Sequence, residues 1–157
     1  MVVFGGTKII VSNGETQTIS NGNKYEIPSN ASVTLTQTTT DRIDTQILLN
    51  ADATVILKGI NVRGYNYSTE YSATAAIWCQ GNATIILADD TVNTLCGNYQ
   101  SYAQHPCAYP AIKVGPSGTT LTIKGQSKGT GKLSATGSGG GFVHVSIPFF
   151  CWNWYNL

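Results

Sequence analysis

Two stretches carry side chains able to do chemistry. LADDTVN sets Asp89, Asp90 and Asn93 close together, and TTTDRIDT contributes Asp41 and Asp44. Converging carboxylate and amide oxygens are what calcium requires. Neither stretch has EF-hand spacing or a glycine/aspartate nonapeptide repeat. Asp89, Asp90 and Asn93 are therefore weak calcium ligands, and the expected role of these aspartates is to accept backbone hydrogen bonds in turns. Cleaving a glycosidic bond takes two carboxylates roughly 5–10 Å apart across a groove. Asp52 and Glu70 complete the candidates, but Asp89 and Asp90 are adjacent and would point to opposite sides of a strand. His105 and His144 have no carboxylate partner in the sequence. No catalytic set is expected.

The other stretch is CGNYQSYAQHPCAYP, residues 96–110. A bond between Cys96 and Cys107 would close a loop of about ten residues and stabilise the chain by roughly 2–3 kcal/mol. The four cysteines show no CxxC spacing and no zinc pattern. Cys79 lies in an apolar run, where a buried free thiol is expected, and Cys151 has no evident role. Tyr99, Tyr102 and Tyr109 fall in this stretch, and Tyr65, Tyr67 and Tyr71 fall in VRGYNYSTEYSA before it. Aromatic faces stack on the C–H faces of sugars, and the intervening Asn, Gln, Glu and Ser can serve sugar hydroxyls. The same rings could instead pack the two connections together, since long loops need a core of their own.

Composition removes several classes of function. The chain has 157 residues, nine Lys+Arg against eight Asp+Glu, and only 11% charged residues. This is one domain's length, sufficient for a continuous core. The scattered lysines do not make the clustered basic footprint that nucleic acid requires. No apolar run is long enough for membrane insertion, and MVVFGGTKII does not read as a signal peptide. Low charge with abundant Thr, Ser, Asn and Gly fits an extracellular β protein.

The elements that must position these groups are strands. NASVTLT (30–36), DATVILKGINV (52–62), NATIILADDTV (82–92) and GTTLTIKGQ (118–126) share a turn residue, a small residue and alternating apolar positions. Ala31, Ala53, Ala83 and Thr119 anchor the alignment. Shorter runs precede the last three, with Ile47 and Ile77 at one offset and Ile112 displaced by one residue. A strand–turn–strand unit cannot bury its apolar stripe alone, but stacked units can. The fold expected is all-β, a right-handed parallel β-helix (β-solenoid) of about four coils with long inserts on one side. Its inward positions are Val33 and Leu35, Val55 and Leu57, Ile85 and Leu87, and Leu121 and Ile123. An antiparallel sandwich is the rival architecture. Residues 1–29 read as N-terminal strands or cap, 30–141 as the solenoid, and 142–157 as an aromatic C-terminal cap or interface.

TVILKGINV (54–62), ATIILADDTVNTL (83–95), CAYPAIKVGPSGTTLTIKG (107–125) and GKLSATGSGGG (131–141) resemble the right-handed parallel β-helix carbohydrate-binding domains of secreted clostridial and gut-bacterial surface proteins. The resemblance spans about residues 30–141, and members of that group usually continue with more coils after the glycine-rich segment. It implies an extracellular, non-catalytic polysaccharide-binding or adhesion domain, with no cofactor or with surface calcium. The alternative is a self-assembling structural fibre or a phage virion fibre or decoration protein. For that reading the aromatic tail, with Phe142, Phe149, Phe150, Trp152, Trp154 and Tyr155, supplies the self-association surface.

Overall fold

The computed structural model describes residues 6–65, 75–102, 105–138, 142–146 and 152–154; segments 99–108, 142–146 and 152–154 are described by their backbone alone. Among the described residues the chain forms strands and no helix. The strands are nearly all parallel, as expected from repeating units and unlike a hairpin-built sandwich.

Three ladders carry the fold. The first, ladder A, joins β1 (Lys8–Ile10), β3 (Lys24–Ile27), the second half of β5 (Ile43–Leu49), β8 (Ile77–Cys79) and β13 (Ile112–Val114). Ladder B joins β2 (Thr16–Thr18), β4 (Ser32–Thr36), β6 (Ala53–Lys58), β9 (Ala83–Leu87) and β14 (Leu121–Gly125). Ladder C joins the first half of β5, β7 (Asn61–Gly64), β10 (Val92–Cys96) and β15 (Lys132–Thr136). From β5 onward the chain visits A, B and C in rotation three times. Strand β5 runs through a corner, so that A and C form one continuous sheet.

Rows of like residues run across these ladders. Val33, Val55, Ile85 and Ile123 are register partners, as are Ile9, Tyr25, Ile47, Ile77 and Ile112. Ladder C contributes the row Ile43, Val62, Leu95 and Ala135. These rows converge in one core, where Leu35, Leu57, Ile77, Leu87 and Leu95 are fully buried. Each such side chain contributes roughly 1.5–3 kcal/mol of transfer free energy. The inward set read from alternation is therefore the observed one.

Register in the last repeat differs. Leu121, not Thr119, pairs with Ala83, so Ile123 sits above Ile85 and Gly125 above Leu87. A shift of two residues preserves the face, which is why alternation identified the buried side chains but not their partners. Ile112 pairs directly with Ile77, and the apparent displacement arises in the corner after it, where 115–120 stand in place of 80–82.

The corner from A to B explains the repeated turn signature. Asn30 and Asp52 adopt positive φ (60° and 59°), which short polar side chains tolerate. The small residues that follow, Ala31 and Ala53, are buried in the core. Within 1–29, strands β2 and β3 pair with β4 and β5 and so extend ladders B and A. At the opposite end the tail turns back. Strand β16 (Phe142–Ser146) pairs antiparallel with β15, and β17 (Trp152–Trp154) pairs antiparallel with β14. Two of the three ladders thus end on a strand of reversed direction.

Candidate functional site

The two tyrosine-bearing connections both run from ladder C to ladder A. The first links β7 to β8 and the second links β10 to β13. Strand β7 is hydrogen-bonded to β10, and β8 to β13, so the connections leave from neighbouring strands and arrive on neighbouring strands. Arg63 faces Cys96 at one end, and Ile77 faces Ile112 at the other. Tyr65 and Tyr109 are half-buried near these anchored ends. Tyr67 and Tyr71 lie outside the described residues.

The second connection contains a hairpin, β11 (Tyr99–Tyr102) against β12 (His105–Ala108), with Tyr99 opposite Ala108 and Tyr102 opposite His105. Its base is fixed to the backbone. Tyr109 N–H donates to Asn98 O (3.2 Å) and to Ser138 Oγ (2.7 Å), and Ser138 N–H donates to Tyr109 O (3.1 Å). A Cβ at Gly97 would run into the Tyr109 carbonyl, so only glycine permits this approach.

The expected Cys96–Cys107 bond is not formed, since Cys96 is a free thiol. Cys96 is held in β10 between Arg63 and Thr136, whereas Cys107 faces Gln100 across the hairpin. Backbone pairing closes the connection instead. Cys79 matches the expectation of a buried free thiol. It occupies the row Ile27, Leu49, Cys79, Val114, and burial pushes its pKa up to about 12.

Asp89, Asp90 and Asn93 are committed to a corner. Asn93 is fully buried. Its Oδ1 accepts from the N–H groups of Gly59 (2.9 Å) and Ile60 (3.1 Å), and its Nδ2 donates to Lys132 O (3.3 Å). It therefore ties its own strand to the turn at 59–60 and to the start of β15, with its oxygen already accepting two N–H groups. Asp89 Oδ2 accepts from Lys128 N–H (2.9 Å). Asp90, at positive φ (59°), takes Thr130 Oγ1–H at 3.0 Å and Lys128 Nζ at 3.2 Å. The Thr130 hydroxyl first, then Lys128, lowers the Asp90 pKa. These contacts hold the neighbouring turn 126–131, while Asp89 Oδ1 is buried without a hydrogen-bond partner among the described residues. Among the described residues no group of three or more His, Cys, Asp and Glu side chains could hold a metal ion.

Of the remaining carboxylate candidates, Asp41 is an exposed residue just before β5. Asp44 pairs in bidentate fashion with Arg63, at 2.8 Å to Nε and 2.6 Å to Nη2, and this hydrogen bonding raises the Arg63 pKa. Asp52 is a turn residue. Glu70 lies outside the described residues, and His105 and His144 are in strands.

Alternation in AIWCQ, with Ile77 and Cys79 as core residues, is sufficient to turn Trp78 outward, yet sequence reasoning treated this run only as part of the repeat. Trp78 lies in the outer row Ile10, Glu26, Leu48, Trp78, Lys113 of ladder A. The Lys113 ammonium stands 4.7 Å from the Trp78 ring centroid. Lys8 pairs with Glu26 at 2.5 Å, and that contact lowers the Glu26 pKa.

Comparison with known proteins finds no matching family model, no matching curated protein and no matching solved structure. The fold defines the chain as an all-β protein built on parallel sheets, with two aromatic connections beginning and ending on paired strands.

Proposed function

We propose that the three ladders are the faces of one right-handed β-solenoid, and that it is a non-catalytic polysaccharide-binding or adhesion domain acting outside the cell. Rotation of the chain through A, B and C, with like residues in register, supports the solenoid. The observation that carries the function is the shared origin and destination of the two tyrosine-rich connections. Long inserts from adjacent strands emerge side by side, so Tyr65, Tyr67 and Tyr71 would share a surface with Tyr99, Tyr102 and Tyr109. Rigid aromatic faces bordered by amides suit a sugar chain, whose C–H faces stack and whose hydroxyls need polar partners. The commitment of Asp44, Asp89 and Asp90 to structural contacts favours binding over cleavage.

Affinity electrophoresis on a panel of soluble polysaccharides tests this reading. The wild-type chain is expected to be retarded by at least one polymer, and alanine at Tyr65, Tyr67, Tyr99 and Tyr102 is expected to remove the retardation. Unchanged migration with an intact fold would overturn the tyrosine surface.

A further inference from the structure

The outer face of ladder A differs in kind from that of ladder B. On ladder B the outward positions are Ser32, Thr54, Thr84 and Thr122 in one row, Thr16, Thr34, Ile56, Ile86 and Lys124 in the next, and Thr18, Thr36 and Lys58 in a third. On ladder A the rows opposite the core are Lys8, Lys24, Gln46 and Ile10, Glu26, Leu48, Trp78, Lys113, of which Gln46 and Leu48 are buried. Three lysines stand here against one glutamate, in a chain where only 11% of residues are charged. Glu26 is already engaged by Lys8 and by Asn50 Nδ2 (3.1 Å). Lys113 is exposed, and among the described residues the Trp78 indole stands beside it.

We infer that the Trp78–Lys113 pair on ladder A is a glycan subsite that takes a sugar unit carrying an anionic group, a carboxylate or a sulfate ester. This inference rests on the polysaccharide-binding reading. An indole is the best aromatic partner for an ammonium, and the same ring can stack on the C–H face of a pyranose. Neighbouring strands bring the two side chains about 4.8 Å apart along the ladder, comparable to the length of one sugar residue. The ammonium covers one face of the ring, so a pyranose stacking there displaces Lys113, whose flexible stem lets it pair with the sugar's acidic substituent or that of the next unit. Trp78 and Lys113 also lie on the two strands at which the tyrosine connections arrive, so a chain on this subsite runs toward that surface.

The experiment uses the intact chain in affinity electrophoresis and titration calorimetry against polygalacturonate, chondroitin sulfate and a neutral mixed-linkage glucan. The expected result is binding to at least one acidic polymer, weakened by added salt. Trp78→Ala should weaken it at least tenfold, Trp78→Phe less, and Lys113→Gln several-fold with a flatter salt dependence. Lys58→Gln, on ladder B, should change nothing, and thermal melts should show every variant folded. A preference for one acidic polymer over the other assigns the carboxylate or the sulfate. Binding to the acidic polymers that survives Trp78→Ala and Lys113→Gln overturns the subsite. Binding to the neutral glucan alone overturns the inference and leaves the polysaccharide reading standing, while binding to none of the three overturns both.

Discussion

The inward and outward residues of ladders A and B teach different lessons. Inward, the two are alike: Ile47 over Ile77 on A and Val55 over Ile85 on B bury the same kind of aliphatic stripe. Outward, they diverge, with hydroxyls, isoleucines and two lysines on B and three lysines, a tryptophan and a glutamate on A. The inner rows answer to packing and are nearly interchangeable. The outer rows answer to solvent or to a partner, and only there can one ladder acquire a property that its neighbour lacks.

The sharpest way to break this comparison is to damage an inner row. Leu57→Ala, at a fully buried position, is expected to cost about 2–5 kcal/mol. Urea unfolding followed by far-UV circular dichroism measures this, and a loss below 1 kcal/mol would contradict a shared tightly packed core. Next comes the buried corner. Asn93→Ala leaves the Gly59 and Ile60 N–H groups without their acceptor and is expected to cost about 1–3 kcal/mol. The same unfolding assay reads it, and Asn93→Asp should recover part of the loss because one carboxylate oxygen can still accept.

Smaller effects belong to the surface. Thr84→Val in the outer row of ladder B should change stability by no more than about 0.5 kcal/mol. Acid titration probes the paired carboxylates. Glu26 and Asp90 have folded-state pKa values below their ordinary values of 4.5 and 3.8. Their stabilisation is therefore complete above those values and is lost as the pH falls through the depressed ones. The urea midpoint should decline below about pH 4.5, and the double variant Glu26→Gln, Asp90→Asn should flatten that decline. A decline unchanged in the variant would show that other carboxylates govern it.

Thiol chemistry gives the finest contrast, since it leaves the fold untouched. The thiolate is the reactive species, and Cys79 stays protonated at neutral pH because burial raises its pKa to about 12. In the folded protein at pH 8, alkylation mapped by mass spectrometry should label Cys96 well before Cys79. Equal labelling would mean that the core opens at Cys79, and an unreactive Cys96 recovered in a cross-linked peptide would restore the Cys96–Cys107 bond.

Much of this architecture was legible along the chain. Period-two alternation in NASVTLT, DATVILKGINV and NATIILADDTV identified which side chains are buried, and the turn residues Asn30 and Asp52 marked the corners. Alternation also turns Trp78 outward, but nothing in one dimension reveals that Lys113, thirty-five positions away, is its register partner. The candidate calcium trio shows the same limit. Proximity in sequence suggested that Asp89, Asp90 and Asn93 could converge, whereas Asn93 lies on the inward side of a strand and serves the N–H groups of a turn more than thirty residues earlier.

Local sequence thus determined the elements: strands with one apolar side, punctuated by residues that tolerate left-handed turns, because steric and hydration preferences act over a few residues. The tertiary structure alone decided the partners. It set Leu121 rather than Thr119 beside Ala83, freed Cys96 from Cys107, buried Asn93 among backbone amides and placed Lys113 over Trp78. Each of these depends on how much chain the intervening connections absorb before the next strand joins its ladder. Connection length changes the register by whole residues while leaving the alternation within each strand intact.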